Sequence, residues 1–164
     1  MIDIKNLNKI YNENSSSPFH ALKNINLEVK KGELLILKGI SGSGKSTLLS
    51  IIATLIKPSS GELIVNGEQV ARLPDLHTSR FRNEHLGFIP QSFNLFESLS
   101  VEQNVQIPMV PLKLSLEQTN MNTQTALKLA NIRHKSEQTI KTLSGGEKQR
   151  CAIARALVND PEII

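Results

Sequence analysis

The chain has 164 residues, 39% of them hydrophobic and 21% charged, with a formal net charge of +4. That length suits one domain of ordinary size with a real core, and the composition excludes wholesale disorder. No apolar run approaches the ~18 residues of a membrane-spanning helix, and the opening Met1-Ile2-Asp3-Ile4-Lys5 does not read as a secretory signal. A single cysteine, Cys151, excludes an internal disulfide and suits a reducing compartment. Basic and acidic residues are interleaved, so no nucleic-acid partner is expected.

In chain order, Ile2, Ile4 and Leu7 predict a short half-buried strand. Asn12 to Pro18 reads as a surface loop. Ile25, Leu27 and Val29 alternate with polar residues and predict a second strand with one wet face. Lys30-Lys31-Gly32-Glu33 is a turn. Leu34-Leu35-Ile36-Leu37 is apolar on both faces, as expected of a buried strand in a parallel sheet. A glycine- and serine-rich loop, Gly39 to Thr47, leads into a helix with a core stripe at Leu48, Ile51, Ile52, Leu55 and Ile56, ended by Lys57 to Gly61. Leu63, Ile64 and Val65 predict a strand entering a tight Asn66-Gly67 turn, and Leu86 to Ile89 another strand stopped by Pro90. From about Ser98 to Lys141 strand signals vanish. Ser115 with Gln118 is placed to cap a helix carrying Thr123, Ala126, Leu127 and Ala130 on one face.

Two segments carry chemistry. Gly39-Ile40-Ser41-Gly42-Ser43-Gly44-Lys45-Ser46-Thr47 matches G-x-x-x-x-G-K-[ST] between a predicted strand and helix. Glycines let the backbone curl so that amides point at phosphate oxygens, and the helix adds its positive end. Lys45 is placed to reach β- and γ-phosphates and the Ser46 hydroxyl to ligate Mg²⁺. In the second segment, Leu143 to Arg150, Ser144 and Glu147 form an S-x-x-E capping box, and Gly145 and Gly146 leave a helix N-terminus bare of side chains. Ile153, Ala154, Leu157 and Val158 supply the apolar face behind it. Local physics alone leaves an ordinary capped helix equally open.

Leu143-Ser144-Gly145-Gly146-Glu147-Lys148-Gln149-Arg150 resembles the signature motif of ABC ATPases, and it follows the phosphate loop in the family's order. The resemblance covers essentially the whole chain. It implies an α/β P-loop NTPase core with a parallel sheet, an N-terminal antiparallel β portion and an inserted helical subdomain. On this reading residues 1–97 are the first part of the nucleotide-binding core, 98–142 the helical subdomain, and 143–164 the signature helix with the start of a further strand.

It further implies that Gln91 matches the glutamine that contacts Mg²⁺ and the attacking water, and that Tyr11 matches the aromatic that stacks on adenine. Lys45, Gln91 and Ser144 are then the catalytic candidates. ATP and Mg²⁺ are the implied cofactors, bound by Tyr11, Gly39, Ser41 to Thr47 and Ser144 to Glu147. The implied function is the ATP-binding subunit of an ABC transporter at the cytoplasmic face of the inner membrane. Its partners are a second ATPase subunit, identical or different, and an integral membrane permease. Ala21 to Ile25, Phe81 to Ile89, Asn94-Leu95, Val105 and Pro108 are similar to the lipoprotein-release and macrolide-export group, which implies lipoprotein release or drug or peptide export. Pro90 and Gln103 depart from that group, where an aromatic and a glutamate are usual.

The family's acidic residues for Mg²⁺ and water, and its γ-phosphate-sensing histidine, follow the signature, whereas His20, His77, His85 and His134 all precede it. The 164-residue chain is therefore expected to be the front part of a longer ATPase, poorly stable and inactive alone. Two other functions remain open at this level: a nucleotide-binding regulatory module without hydrolysis, and a soluble ABC-type ATPase.

Overall fold

A computed structural model of the chain describes residues 2–164 and divides into two units, 1–79 and 80–164. In the first unit, β1 (Ile2–Tyr11), β2 (Phe19–Val29), β3 (Ser60–Val65) and β4 (Glu68–Gln69) form an antiparallel sheet in the order β2-β1-β3-β4. The alternation read in the sequence orients it: Ile2, Ile4 and Leu7 are buried on β1, and Leu63 and Val65 on β3. A sheet wet on one face needs only this period-two pattern to fix its register. The β1–β2 register slips at three places, and Asn6 and Asn24 adopt positive φ there. Asparagine side chains repair the ladder. Asn26 Oδ1 accepts from the Asn6 amide at 2.9 Å, and Asn8 Oδ1 from the Asn24 amide at 2.9 Å. The predicted Asn66-Gly67 turn joins β3 to β4, with both residues at positive φ as a two-residue hairpin requires.

Helix α1 (Lys45–Ile52) buries Leu48, Ile51 and Ile52. It is shorter than the apolar stripe suggested. Thr54 takes φ 56°, the helix stops at Ile52, and Leu55 is left 45% exposed. A β-branched residue in the left-handed region cannot continue a right-handed helix. Helix α2 (Asp75–His85) runs across the division between the units.

The second unit is mainly helical. It contains α3 (Val101–Gln106), α4 (Leu116–Leu129) and α5 (Gly145–Leu157), with a 3-10 segment at Ile107–Leu112. Val101, Val105, Ala126, Leu127, Ile132, Ile140, Cys151 and Ala154 close one apolar core. The helical stretch read from Ser98 to Lys141 thus packs against the helix that begins after Ser144. Ser115 caps α4 as predicted, accepting from the Gln118 amide at 3.1 Å. Gln118 does not return the bond: its side chain donates to Asn122 Oδ1.

The expected strand at Leu34–Leu37 has no ladder partner among the described residues, and Leu34 and Ile36 are 88% and 65% exposed. Parallel pairing among the described residues is confined to a bridge between Leu86 and Ile163, backed by the Gly87 amide donating to Ile163 O at 2.8 Å. Leu86 to Ile89 therefore begins as a strand and goes no further. A strand apolar on both faces depends on neighbours on both sides, and no described residue hydrogen-bonds alongside Leu34–Leu37 to form that ladder.

Candidate functional site

The predicted site residues divide between the units. Tyr11 and Gly39 to Thr47 lie in the first; Gln91 and Ser144 to Glu147 lie in the second.

The Gly39–Thr47 loop curls about the Lys45 ammonium. That group donates to Gly39 O at 2.9 Å, Ile40 O at 2.7 Å and Ser43 Oγ at 3.2 Å. The curl ends at Gly44, the N-cap of α1, with φ 87°. A Cβ at Gly44 would lie 2.6 Å from Ala21 O and 2.8 Å from Leu22 Cδ2, so the loop presses its last glycine against β2. Only glycine satisfies both the backbone angle and this approach. Helices α3, α4 and α5 each have a serine N-cap that accepts a first-turn amide, but α1 has no side-chain cap. Its first-turn N–H groups, orphaned by helix geometry, face the loop that already gathers a cation. Ser46, the second residue of α1, is exposed.

Tyr11 ends β1, opposite Phe19, and is 36% exposed. The Lys9 ammonium stands over one face of its ring, 5.2 Å from the centroid, and donates to Lys57 O at 2.7 Å.

In the second unit, Ser144 and Glu147 form the capping box read from the sequence. The Ser144 amide donates to Glu147 Oε2 at 2.8 Å, and the Glu147 amide donates to Ser144 Oγ at 3.4 Å. The Ser144 hydroxyl also donates to Glu147 Oε2 at 2.8 Å, and the Lys135 ammonium lies 3.4 Å from Oε1. Hydrogen bonds from the Ser144 backbone and side chain, then the Lys135 charge, hold the Glu147 carboxyl below the usual glutamate range. Ser144, Gly145 and Gly146 are exposed, and a Cβ on either glycine would meet nothing within 4 Å. No contact among the described residues requires glycine at those two positions.

Gln91 is exposed on the turn that follows Pro90. Two residues that sequence reasoning passed over, Arg155 and Asn104, shape its surroundings. Arg155, on α5, donates to Phe93 O at 2.5 Å and to Asn94 O at 2.6 Å. Asn104, wholly buried on α3, donates to Phe96 O and Ser100 O and accepts from the Phe96 amide. A polar residue between Val101 and Val105 on a helical apolar face was the available signal for Asn104; Arg155 had none, since its partners are 61 and 62 residues away. Gln103, the unusual position, completes a second capping box. The Ser100 amide donates to Gln103 Oε1 at 2.9 Å and the Gln103 amide to Ser100 Oγ at 3.1 Å. Either glutamate or glutamine serves that role.

No group of three His, Cys, Asp or Glu side chains among the described residues could hold a metal. Mg²⁺ takes few protein ligands and completes its shell with phosphate and water, so a lone hydroxyl such as Ser46 fits an ion that arrives with a nucleotide. No helix among the described residues is long and apolar enough to cross a membrane.

A phosphate-type loop at the head of an uncapped helix, on a chain that also holds a glycine-opened capped helix, defines an α/β nucleotide-binding class. Comparison with known proteins narrows it. The ABC transporter family matches residues 22–164, and the chain belongs to that family. It is 39% identical over its full length to the lipoprotein-releasing system ATP-binding protein LolD of Pseudoalteromonas translucida, covering 70% of that protein. It is 40% identical over its full length to the macrolide export ATP-binding/permease protein MacB of Campylobacter jejuni, but spans only 25% of that protein's length. Among solved structures, the ATP-binding cassette MJ0796, in a dimeric post-hydrolysis state bound to ADP and Pi, superposes with a TM-score of 0.90 at 38% identity. That match covers 98% of this chain and 71% of the cassette. These likenesses bear out the family and the α/β fold class.

Proposed function

We propose that the chain is the ATP-binding part of an ABC transporter subunit, and that the full-length protein hydrolyses ATP to drive transport across the cytoplasmic membrane. One observation carries the reading: Lys45 and the uncapped first turn of α1 converge in a single loop. Phosphate oxygens would take the place of Gly39 O and Ile40 O as acceptors for Lys45, and would satisfy the orphaned amides. Mg²⁺ would be held by Ser46 and would neutralise phosphate charge; Gln91 is the residue that the family resemblance assigns to metal and water. Tyr11, steadied by Lys9, offers a face for adenine.

The second unit carries a helix end of its own that is open to an anion. Gly145 and Gly146 answer to no contact among the described residues, so their smallness serves a close approach from outside. A second ATPase subunit that brings its own nucleotide to the Ser144–Glu147 helix end fits that requirement, and the dimeric state of MJ0796 supports it. Catalysis is then electrostatic, with preset amides and Lys45 stabilising charge on the transferred phosphoryl group. The working division is residues 1–97 and 143–164 for nucleotide and 98–142 for contact with an integral permease at the cytoplasmic face of the inner membrane. The names LolD and MacB favour lipoprotein release or drug or peptide export as the driven process.

The test is Lys45→Ala in the full-length protein. ATP turnover is expected to fall by at least about a hundredfold, with weakened nucleotide binding by fluorescence titration. Undiminished turnover removes the phosphate-loop assignment.

A further inference from the structure

The turn after Gln91 is held in an unfavourable conformation by a side chain from another element. Phe93 and Asn94 adopt φ 61° and 46°, two consecutive residues in the left-handed region. Asparagine tolerates that region, but for a bulky residue such as phenylalanine it is an outlier that persists only where its surroundings enforce it. Local bonds contribute: the Phe93 amide donates to Pro90 O at 3.0 Å, the Asn94 amide to Ser92 O at 2.7 Å, and Ser92 Oγ to Asn94 Oδ1 at 2.7 Å. These span five residues of an exposed turn and do not tie it to anything else.

The tie is Arg155. Its two terminal nitrogens reach two successive carbonyls, those of Phe93 and Asn94, at 2.5 and 2.6 Å. Carbonyls on adjacent residues point the same way only when the backbone turns as it does here, and a planar fork is the side chain that matches such a pair. The guanidinium is half-buried and its contacts are charge-assisted, so they are stronger than neutral hydrogen bonds. Arg155 also lies on the same uninterrupted helix as the Ser144–Glu147 cap. We infer that Arg155 is a positioning residue: its grip on Phe93 and Asn94 sets the Gln91 turn in fixed register with α5. Asn104 fixes the far side of the segment through Phe96 and Ser100, so Gln91 is left on a short span anchored beyond it by two helices. Loss of the fork frees the turn to leave the left-handed region without unfolding the core. The consequence for chemistry rests on the reading of Gln91 as the residue facing metal and water.

The experiment uses Arg155→Met in the full-length protein, followed by hydrogen exchange along the chain. Amides from Gln91 to Leu95 are expected to exchange at least about tenfold faster, while those of α3 and α4 keep their rates. Unchanged exchange at 91–95, or an equal acceleration across the whole second unit, overturns the inference. Should the methionine variant fail to fold, Arg155→Lys keeps the charge and stem but replaces the fork with one ammonium. It is expected to accelerate the same amides by roughly threefold and no others. In turnover, Arg155→Met should lower kcat with little change in KM, and the double variant with Gln91→Ala should be no slower than Gln91→Ala alone. Additive losses count against Arg155 acting through Gln91. If Gln91→Ala turns over normally while the 91–95 amides still respond to Arg155→Met, the tether stands and the assignment of Gln91 fails by itself.

Discussion

Gly44 and Gly146 show how differently one residue type can serve. At Gly44 a methyl group would meet Ala21 O at 2.6 Å, a backbone atom that cannot swing away, and φ is 87°. Both strain and overlap oppose any side chain. Gly44→Ala is expected to destabilise the protein by about 2–4 kcal/mol, read by denaturant unfolding. At Gly146 a methyl would meet nothing, and the position is helical. Gly146→Ala is expected to be neutral or to stabilise by up to about 1 kcal/mol, while weakening ATP-dependent pairing of two subunits measured by light scattering. If Gly146→Ala destabilises like Gly44→Ala, its glycine serves the chain's own fold and the proposed outside partner loses its support. Glycine spacing was legible in the sequence at both places, because a motif records which residue is needed. Which neighbour enforces the need was not, since Ala21 approaches Gly44 only once β2 has folded beside α1.

Among the helices, the capping boxes of α3 and α5 form an internal comparison. Both pair a serine with the residue three positions on, but α3 uses Gln103 and α5 uses Glu147. The Glu147 carboxyl is held below its ordinary value by its bonds to Ser144 and by Lys135. An acid with a depressed folded pKa contributes stability that is fully present above the unfolded value, about 4.3, and is lost as pH falls through the folded one. The α5 end should therefore loosen on acidification below about pH 4, while the α3 end, with a neutral amide, should not. Amide signals of Gly146 to Lys148 against those of Gln103 and Asn104 in an NMR pH titration test this, and Glu147→Gln should abolish the difference. An α5 end indifferent to acid would mean the carboxylate is not what holds Ser144. The α5 box was legible because a box is complete within four residues; the Ser100–Gln103 box, equally local, was not read. The Arg155 clamp and the end of α1 at Ile52 were not, since one joins residues about sixty positions apart and the other turns on Thr54 adopting φ 56°.

At the scale of the molecule, the antiparallel sheet and the helical core each close on themselves, and the stretch Leu34–Leu37 belongs to neither. The strands β1, β2 and β3 were readable because each alternates and is wet on one side, but the pairing of β3 with β1, which sets Val65 opposite Ile2, was not. The helical core was readable because Thr123, Ala126, Leu127 and Ala130 repeat at helical spacing and are all buried. Leu34–Leu37 carries a parallel-strand pattern whose realisation depends on distant residues, so composition gave its character but not its state. Leu34, Leu35 and Ile36 are 88%, 44% and 65% exposed, and Ile40 beyond them 83%. Apolar side chains in a row without a ladder bind dyes that seek hydrophobic surface, and an unpaired strand offers its backbone to other chains. A polypeptide of these 164 residues alone is expected to bind such a dye and to self-associate as its concentration rises in sedimentation. Leu34→Lys with Ile36→Lys should reduce both, because neither side chain contributes to the buried core. A monodisperse, dye-silent 164-residue polypeptide would show that Leu34–Leu37 is covered in solution by something the chain already contains. A double lysine variant that associates as before would place the sticky surface elsewhere, with Leu116 and Leu129 on α4, 78% and 69% exposed, as the next residues to replace.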